Sequence, residues 1–151
     1  MKKYIYFLIA VSACLFVGCS DDDDNTVTID SRVVGEWQLI NWNGDKAEDF
    51  DVYLELLSDG SFNLYQRVEY SYYEHFAGTF SVGESLLQGR YSDGKPWAGE
   101  YDYALSDGGY TLTLTDRKSN EVNIYTRMQQ IPEDVRKTSV TRSMPGSRRF
   151  L

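Results

Sequence analysis

At 151 residues, with 42% apolar and 25% charged side chains, the chain can build one well-sized core and no second domain. Its 23 acidic residues outnumber 15 basic ones, for a net charge of −8; dropping Lys2 and Lys3 with the first eighteen residues takes the balance to about −10. That excess excludes nucleic acid and anionic lipid as partners of the folded part itself.

The chain opens with Lys2 and Lys3 ahead of an uncharged apolar run from Tyr4 to Val17, the layout of a secretory signal over residues 1–18. The run is shorter than the roughly 20 apolar residues of a spanning helix. Gly18 and Cys19 follow it, and this small-residue-plus-cysteine ending resembles a bacterial lipobox, with Phe16 and Val17 where Leu and a small residue are usual. The resemblance implies cleavage before Cys19 and lipid attachment, palmitate included, on its thiol. Cys14 leaves with the signal and Cys19 takes the lipid, so the folded part has no disulfide and no thiol chemistry. Ser20, Asp21, Asp22, Asp23 and Asp24 come next. Four adjacent like charges repel and stay solvated, which makes residues 19–31 a tether. After a lipidated cysteine this block resembles the acidic export signal of surface lipoproteins of Gram-negative gut commensals, which implies an anchored protein on the outer face of the outer membrane. A solvated spacer facing the periplasm is the alternative.

Residues 32–130 alternate at period two almost throughout. Val52, Leu54 and Leu56 interleave with Tyr53 and Glu55; Phe62, Leu64 and Val68 with Asn63, Tyr65 and Arg67; Phe76, Phe80 and Val82 with Ala77, Thr79 and Ser81. Trp97, Tyr101, Tyr103 and Leu105 then share one face, followed by Tyr110, Leu112 and Leu114, and lastly Val122 and Ile124 against Asn123 and Tyr125. Tight-turn residues separate the runs at Ser58-Asp59-Gly60, Ser92-Asp93-Gly94 and Asp107-Gly108-Gly109. The pattern predicts an all-β domain of about eight antiparallel strands joined by hairpins, closed as an up-and-down barrel or split into a sandwich.

The first strand tips that balance towards the barrel. Gly35-Glu36-Trp37 on an opening strand resembles the calycin superfamily, the lipocalins and their relatives, and the order of motifs through to Tyr125-Thr126-Arg127 is similar to lipocalin-like domains of bacterial surface lipoproteins. The resemblance covers about residues 33 to 128. It implies that Trp37 plugs one barrel end and that Arg127 lies across its indole as a barrel-closing pair. It also implies either a filled barrel or one small apolar or aromatic ligand, with Trp97, Tyr101, Tyr103 and Tyr110 as the candidates to line a mouth.

Catalytic and metal chemistry find little foothold. The single histidine, His75, has no flagged nucleophile or oxyanion loop beside it, and one histidine without cysteines cannot build a zinc site. The expectation is a non-catalytic binding domain with no cofactor and no metal, a surface hydrolase being the distant alternative. Its partners would be the membrane, reached through the lipid on Cys19, and either a small apolar ligand or a surface protein docked on the outer face of a filled barrel. Residues 131–151 hold Pro132 and Pro145, several basic residues and no apolar period. They are expected to form a disordered basic tail, opening with at most one helical turn at Pro132, Glu133 and Asp134.

Overall fold

The computed structural model describes residues 29–46, 48, 51–141 and 148–151. The signal region, Cys19, Ser20 and Asp21, Asp22, Asp23 and Asp24 lie outside the described residues. Eight strands form the barrel: β1 (Gly35–Trp42), β3 (Asp51–Leu56), β4 (Ser61–Arg67), β5 (Glu74–Val82), β6 (Leu86–Tyr91), β7 (Tyr101–Ser106), β8 (Thr111–Asp116) and β9 (Val122–Met128). Each pairs antiparallel with its neighbour in the chain, β5 with β6 and β9 back with β1, so the sheet closes on itself as an up-and-down barrel. The two-residue β2 (Asp45–Lys46) extends β1, and β10 (Val140–Thr141) runs parallel to the first residues of β5, where β6 does not reach.

The period-two pattern is spent as the barrel requires. Trp37, Leu39, Leu54, Leu56, Phe62, Leu64, Leu112 and Leu114 are buried in one continuous core, and the aromatics Phe76, Phe80, Tyr91, Trp97 and Tyr101 join it. Edge-to-face packing of Phe62 on Tyr91 and Trp97, at 5.5 and 5.1 Å between centroids, adds about 0.5–1.5 kcal/mol per pair beyond area burial. The weakest seam is β6–β7, which pairs over two positions where β7–β8 pairs over six. The connecting segment fills that seam. Trp97 lies there rather than on β7, and its indole rests on Gly89, where any Cβ would collide with the ring.

One strand faces the opposite way from its expected setting. Asn123 and Tyr125 are the buried residues of β9, while Val122 and Ile124 are only partly covered. Directly opposed residues of an antiparallel pair point to the same side. Trp37 is opposed to Arg127 and Leu39 to Tyr125. The inward setting of Trp37 therefore turns 127, 125 and 123 inward, at the cost of placing an amide and a phenol in the core.

In its described residues, 131–141 and 148–151, the tail is not the disordered segment expected of it. Ile131 is fully buried, and α1 (Glu133–Thr138) follows Pro132, with Glu133 and Asp134 in the first turn and Arg136 and Lys137 in the last, matching the helix dipole. Ile131 and Val135 cover Tyr53 and Tyr65, which alternate with the core positions and point outward. A second small core thus sits outside the barrel wall. Arg136 anchors it by ion pairs of 3.0 Å to both Glu36 and Glu55. At the other boundary the chain is already packed at Ile29, and the Tyr103 hydroxyl donates to Asp30 at 3.0 Å.

Candidate functional site at the two barrel ends

Strand register sorts the residues of interest to opposite ends. At the end where β1 begins, the Arg127 guanidinium lies 4.1 Å over the Trp37 ring. Its Nε donates to the carbonyl of Gly109 at 2.8 Å, Nη1 to Val34 at 2.8 Å and Nη2 to Arg32 at 2.6 Å. The Trp37 indole N–H donates to the Val33 carbonyl at 2.9 Å. Gly35 takes φ +146°, and a Cβ there would run into Nη1 of Arg127, so the glycine of Gly-x-Trp makes room for the arginine. Cation–π contact of this kind contributes about 0.5–2 kcal/mol. Here it also ties residues 32–34 before β1 and the β7–β8 turn to both ends of the strand series.

At the opposite end, four residues of the chain sit in the barrel mouth. Leu151 is 1% exposed and belongs to the main core, and its main-chain oxygen accepts from the Tyr91 hydroxyl at 2.6 Å. The Phe150 ring packs edge-on against Trp42 at 5.4 Å. Arg149 forks onto Asp93 at 3.0 and 2.5 Å and lies 4.3 Å over the Tyr91 ring. The Arg149 hydrogen bond holds the Asp93 carboxyl at about 2, below its ordinary value, so the pair is complete above about pH 4 and fades only as pH falls towards 2. Gln66, fully buried on β4, accepts from the Phe150 N–H at 2.9 Å and donates to the Arg148 carbonyl at 2.7 Å.

Beside this segment lies a cavity of about 240 Å³, lined by Trp42, Gln66, Val68, Tyr101, Asn123 and Phe150 among others. Asn123 is 4% exposed and its Oδ1 has no hydrogen-bond partner. Buried acceptors are nearly always paired, so an unpaired one shut away from solvent carries a desolvation cost. Deeper in, the Tyr125 hydroxyl is likewise unpartnered, and burial pushes its ionisation well up. Glu74, 1% exposed, meets Gln66 through Oε2 at 3.4 Å while Oε1 has no partner. A wider open groove of about 1230 Å³ runs along the barrel side, bordered by Ile29, Phe80, Arg90, Trp97, Glu100 and Arg117.

The four candidates for a ligand mouth do not come together. Trp97 and Tyr101 are both buried, 6.2 Å apart, with Tyr101 on the 240 Å³ cavity and Trp97 under the side groove. Tyr103 is turned to Asp30, and Tyr110 is 65% exposed beside Arg127 at the far end. Sequence reasoning missed Gln66, Asn123 and residues 148–151. Gln66 carried one signal, since it falls on the inward phase of Phe62 and Leu64, where a polar residue is conspicuous; Asn123 carried none, because the apolar Val122 and Ile124 point the apparent phase of β9 the other way.

His75 lies outside the barrel wall, stacked on Tyr65 at 4.7 Å. Asn63 donates to Glu55 at 2.7 Å, so its carbonyl oxygen accepts from His75 Nε2 at 2.8 Å, and Nδ1 is left to face the Thr141 hydroxyl at 3.3 Å. Burial lowers the histidine's pKa, keeping the neutral ring.

No family model and no curated protein matches the chain. Among solved structures it is similar to an uncharacterized protein from Bacteroides eggerthii DSM 20697, at 13% identity and a TM-score of 0.43, over 63% of this chain and 98% of that one.

Proposed function

We propose that the protein is a lipid-anchored, lipocalin-like lipoprotein of the outer-membrane surface, tethered through Cys19 and the aspartates after it, with a binding rather than a catalytic role. Its binding site is the mouth opposite Trp37. The observation that carries this reading is the 240 Å³ cavity, walled by Trp42, Val68 and Tyr101 together with the polar side chains of Gln66 and Asn123. Its lining of aromatic and polar side chains suits a small aromatic group bearing polar substituents. The engagement of both His75 ring nitrogens with an amide and a hydroxyl supports a structural role for that residue.

Two experiments test the parts separately. Cys19→Ser should release the protein from membranes or stall its processing, and unchanged membrane retention would remove the anchor. Protease added to intact cells should reach the domain, and exchanging Asp21, Asp22, Asp23 and Asp24 for alanine should hide it. For the mouth, a neutral aromatic fluorophore should bind the purified protein and lose affinity on Asn123→Leu or Tyr101→Ala; no binding at all would refute the site.

A second reading, an accessory subunit of a surface complex, is favoured by the density of the barrel interior and by exposed Ile40, Tyr70, Tyr110 and Val140 on the outer surface. Native gels of membranes would then show a complex larger than the single chain, lost on Tyr110→Arg.

A further inference from the structure

We propose that the barrel mouth is a peptide-recognition site, that residues 148–151 are its ligand in cis, and that it takes in trans a short peptide presenting a basic, an aromatic and an aliphatic side chain in that order. The proposal rests on the mouth-binding reading above and names the class of ligand.

Every residue of the seated segment is met by a group suited to it. The Gln66 amide accepts from one main-chain N–H and donates to one main-chain carbonyl, those of residues 150 and 148, so it reads backbone without regard to side chain. Asp93 takes the guanidinium of Arg149 in a two-point fork, a geometry that lysine cannot reproduce, and the Tyr91 ring covers its face. Trp42 holds the aromatic ring of Phe150, and the Arg148 guanidinium lies 5.5 Å from the same indole. Leu151 fills the core position beyond, its oxygen fixed by Tyr91. The receiving groups come from three strands, β1, β4 and β6, and the turn after β6, none of them part of the segment itself. Charge also matches: Asp116 and Glu121 line the same cavity, in a chain carrying a net −8, so the mouth favours a basic peptide.

The cis segment leaves part of the site unused. Space remains beside the Phe150 ring, in the cavity of about 240 Å³. A tyrosine or tryptophan at the Phe150 position would fill more of that cavity. The best trans peptide is therefore not the chain's own sequence.

The test is a titration of the dye-labelled peptide Gly-Ser-Arg-Arg-Phe-Leu onto the full chain, onto a variant lacking residues 147–151, and onto Arg149→Ala/Phe150→Ala, which keeps the segment's main chain. Both variants should bind at least tenfold more tightly than the full chain, because the competing segment is gone or weakened. Adding Asp93→Asn should cost at least tenfold, and a peptide with Tyr or Trp in place of Phe should gain severalfold. A folded variant that binds no better than the full chain overturns the proposal. If the shortened chain does not fold, the double variant carries the same comparison. The full chain itself gives a reading free of any variant: excess peptide should accelerate hydrogen exchange at the Phe150 amide, and unchanged exchange counts against the proposal. A neutral aromatic fluorophore titrated in parallel separates the two levels. Fluorophore binding without peptide binding sinks the peptide class alone, and failure of both sinks the mouth as a binding site.

Discussion

The two ends of this barrel are closed by the same kinds of side chain, an arginine over an aromatic ring, yet they are built to different ends. At the first, Arg127 and Trp37 belong to adjacent strands and Arg127 satisfies three main-chain carbonyls. At the second, Arg149 and Phe150 belong to no strand and are held by side chains, one amide and one carboxylate above all. A group carried by the sheet cannot leave without unfolding the sheet. A group held only by side chains can leave alone. The first end is framework, and the second has the makings of a site.

That contrast predicts a ranking of effects. Trp37→Ala should be the most damaging, at about 3–5 kcal/mol in urea unfolding, because it empties the centre of the closed end. Leucine truncation offers the sharpest comparison, since Leu54 and Leu151 are equally buried in one core. Leu54→Ala should cost about 2–5 kcal/mol, whereas Leu151→Ala should cost less than about 2 kcal/mol, because opening of the segment caps the loss. Equal losses would make residues 148–151 part of the framework. Arg127→Met keeps the apolar stem and removes three donors, for an expected loss of about 2–3 kcal/mol, with fluorescence of Trp37 reporting the altered end.

The smallest effect belongs to the outer wall. Burial depresses the His75 pKa in the folded protein, so the unfolded chain takes up the proton first as pH falls. Its contribution is present above about pH 6.5 and is lost as pH drops through the lower folded value. His75→Gln should flatten the stability profile over that window, measured by thermal unfolding at a series of pH values. An unchanged slope would show that the histidine carries none of it.

The strands were legible because each is short, half-buried and bounded by turn residues, so local alternation reports them directly, while the choice of barrel over sandwich came from the Gly35-Glu36-Trp37 resemblance. Gly35, Trp37 and Arg127 were legible together through the Gly-x-Trp resemblance, and the register that pairs Trp37 with Arg127 would have corrected β9. Once Trp37 opposes Arg127, parity puts Tyr125 and Asn123 inside, whatever the greater apolarity of Val122 and Ile124 suggests. Tyr53 and Tyr65 looked solvent-facing because nothing local announces that α1, some seventy residues on, covers them. The mouth was illegible for a related reason. Four residues are too few to show a period, and the meaning of Phe150 and Leu151 lies in Trp42, Gln66 and Tyr91, far away in the chain.

Native-state hydrogen exchange on the full chain compares the two ends most directly. The amides that join β1 and β9 around Trp37 should exchange only through global unfolding, with rates that track denaturant as whole-molecule stability does. The Phe150 amide, whose acceptor is the Gln66 side chain, should exchange through a much smaller opening that is insensitive to low denaturant. Exchange of Phe150 at the global rate would contradict the account, for the mouth would then be as much framework as the Trp37 end.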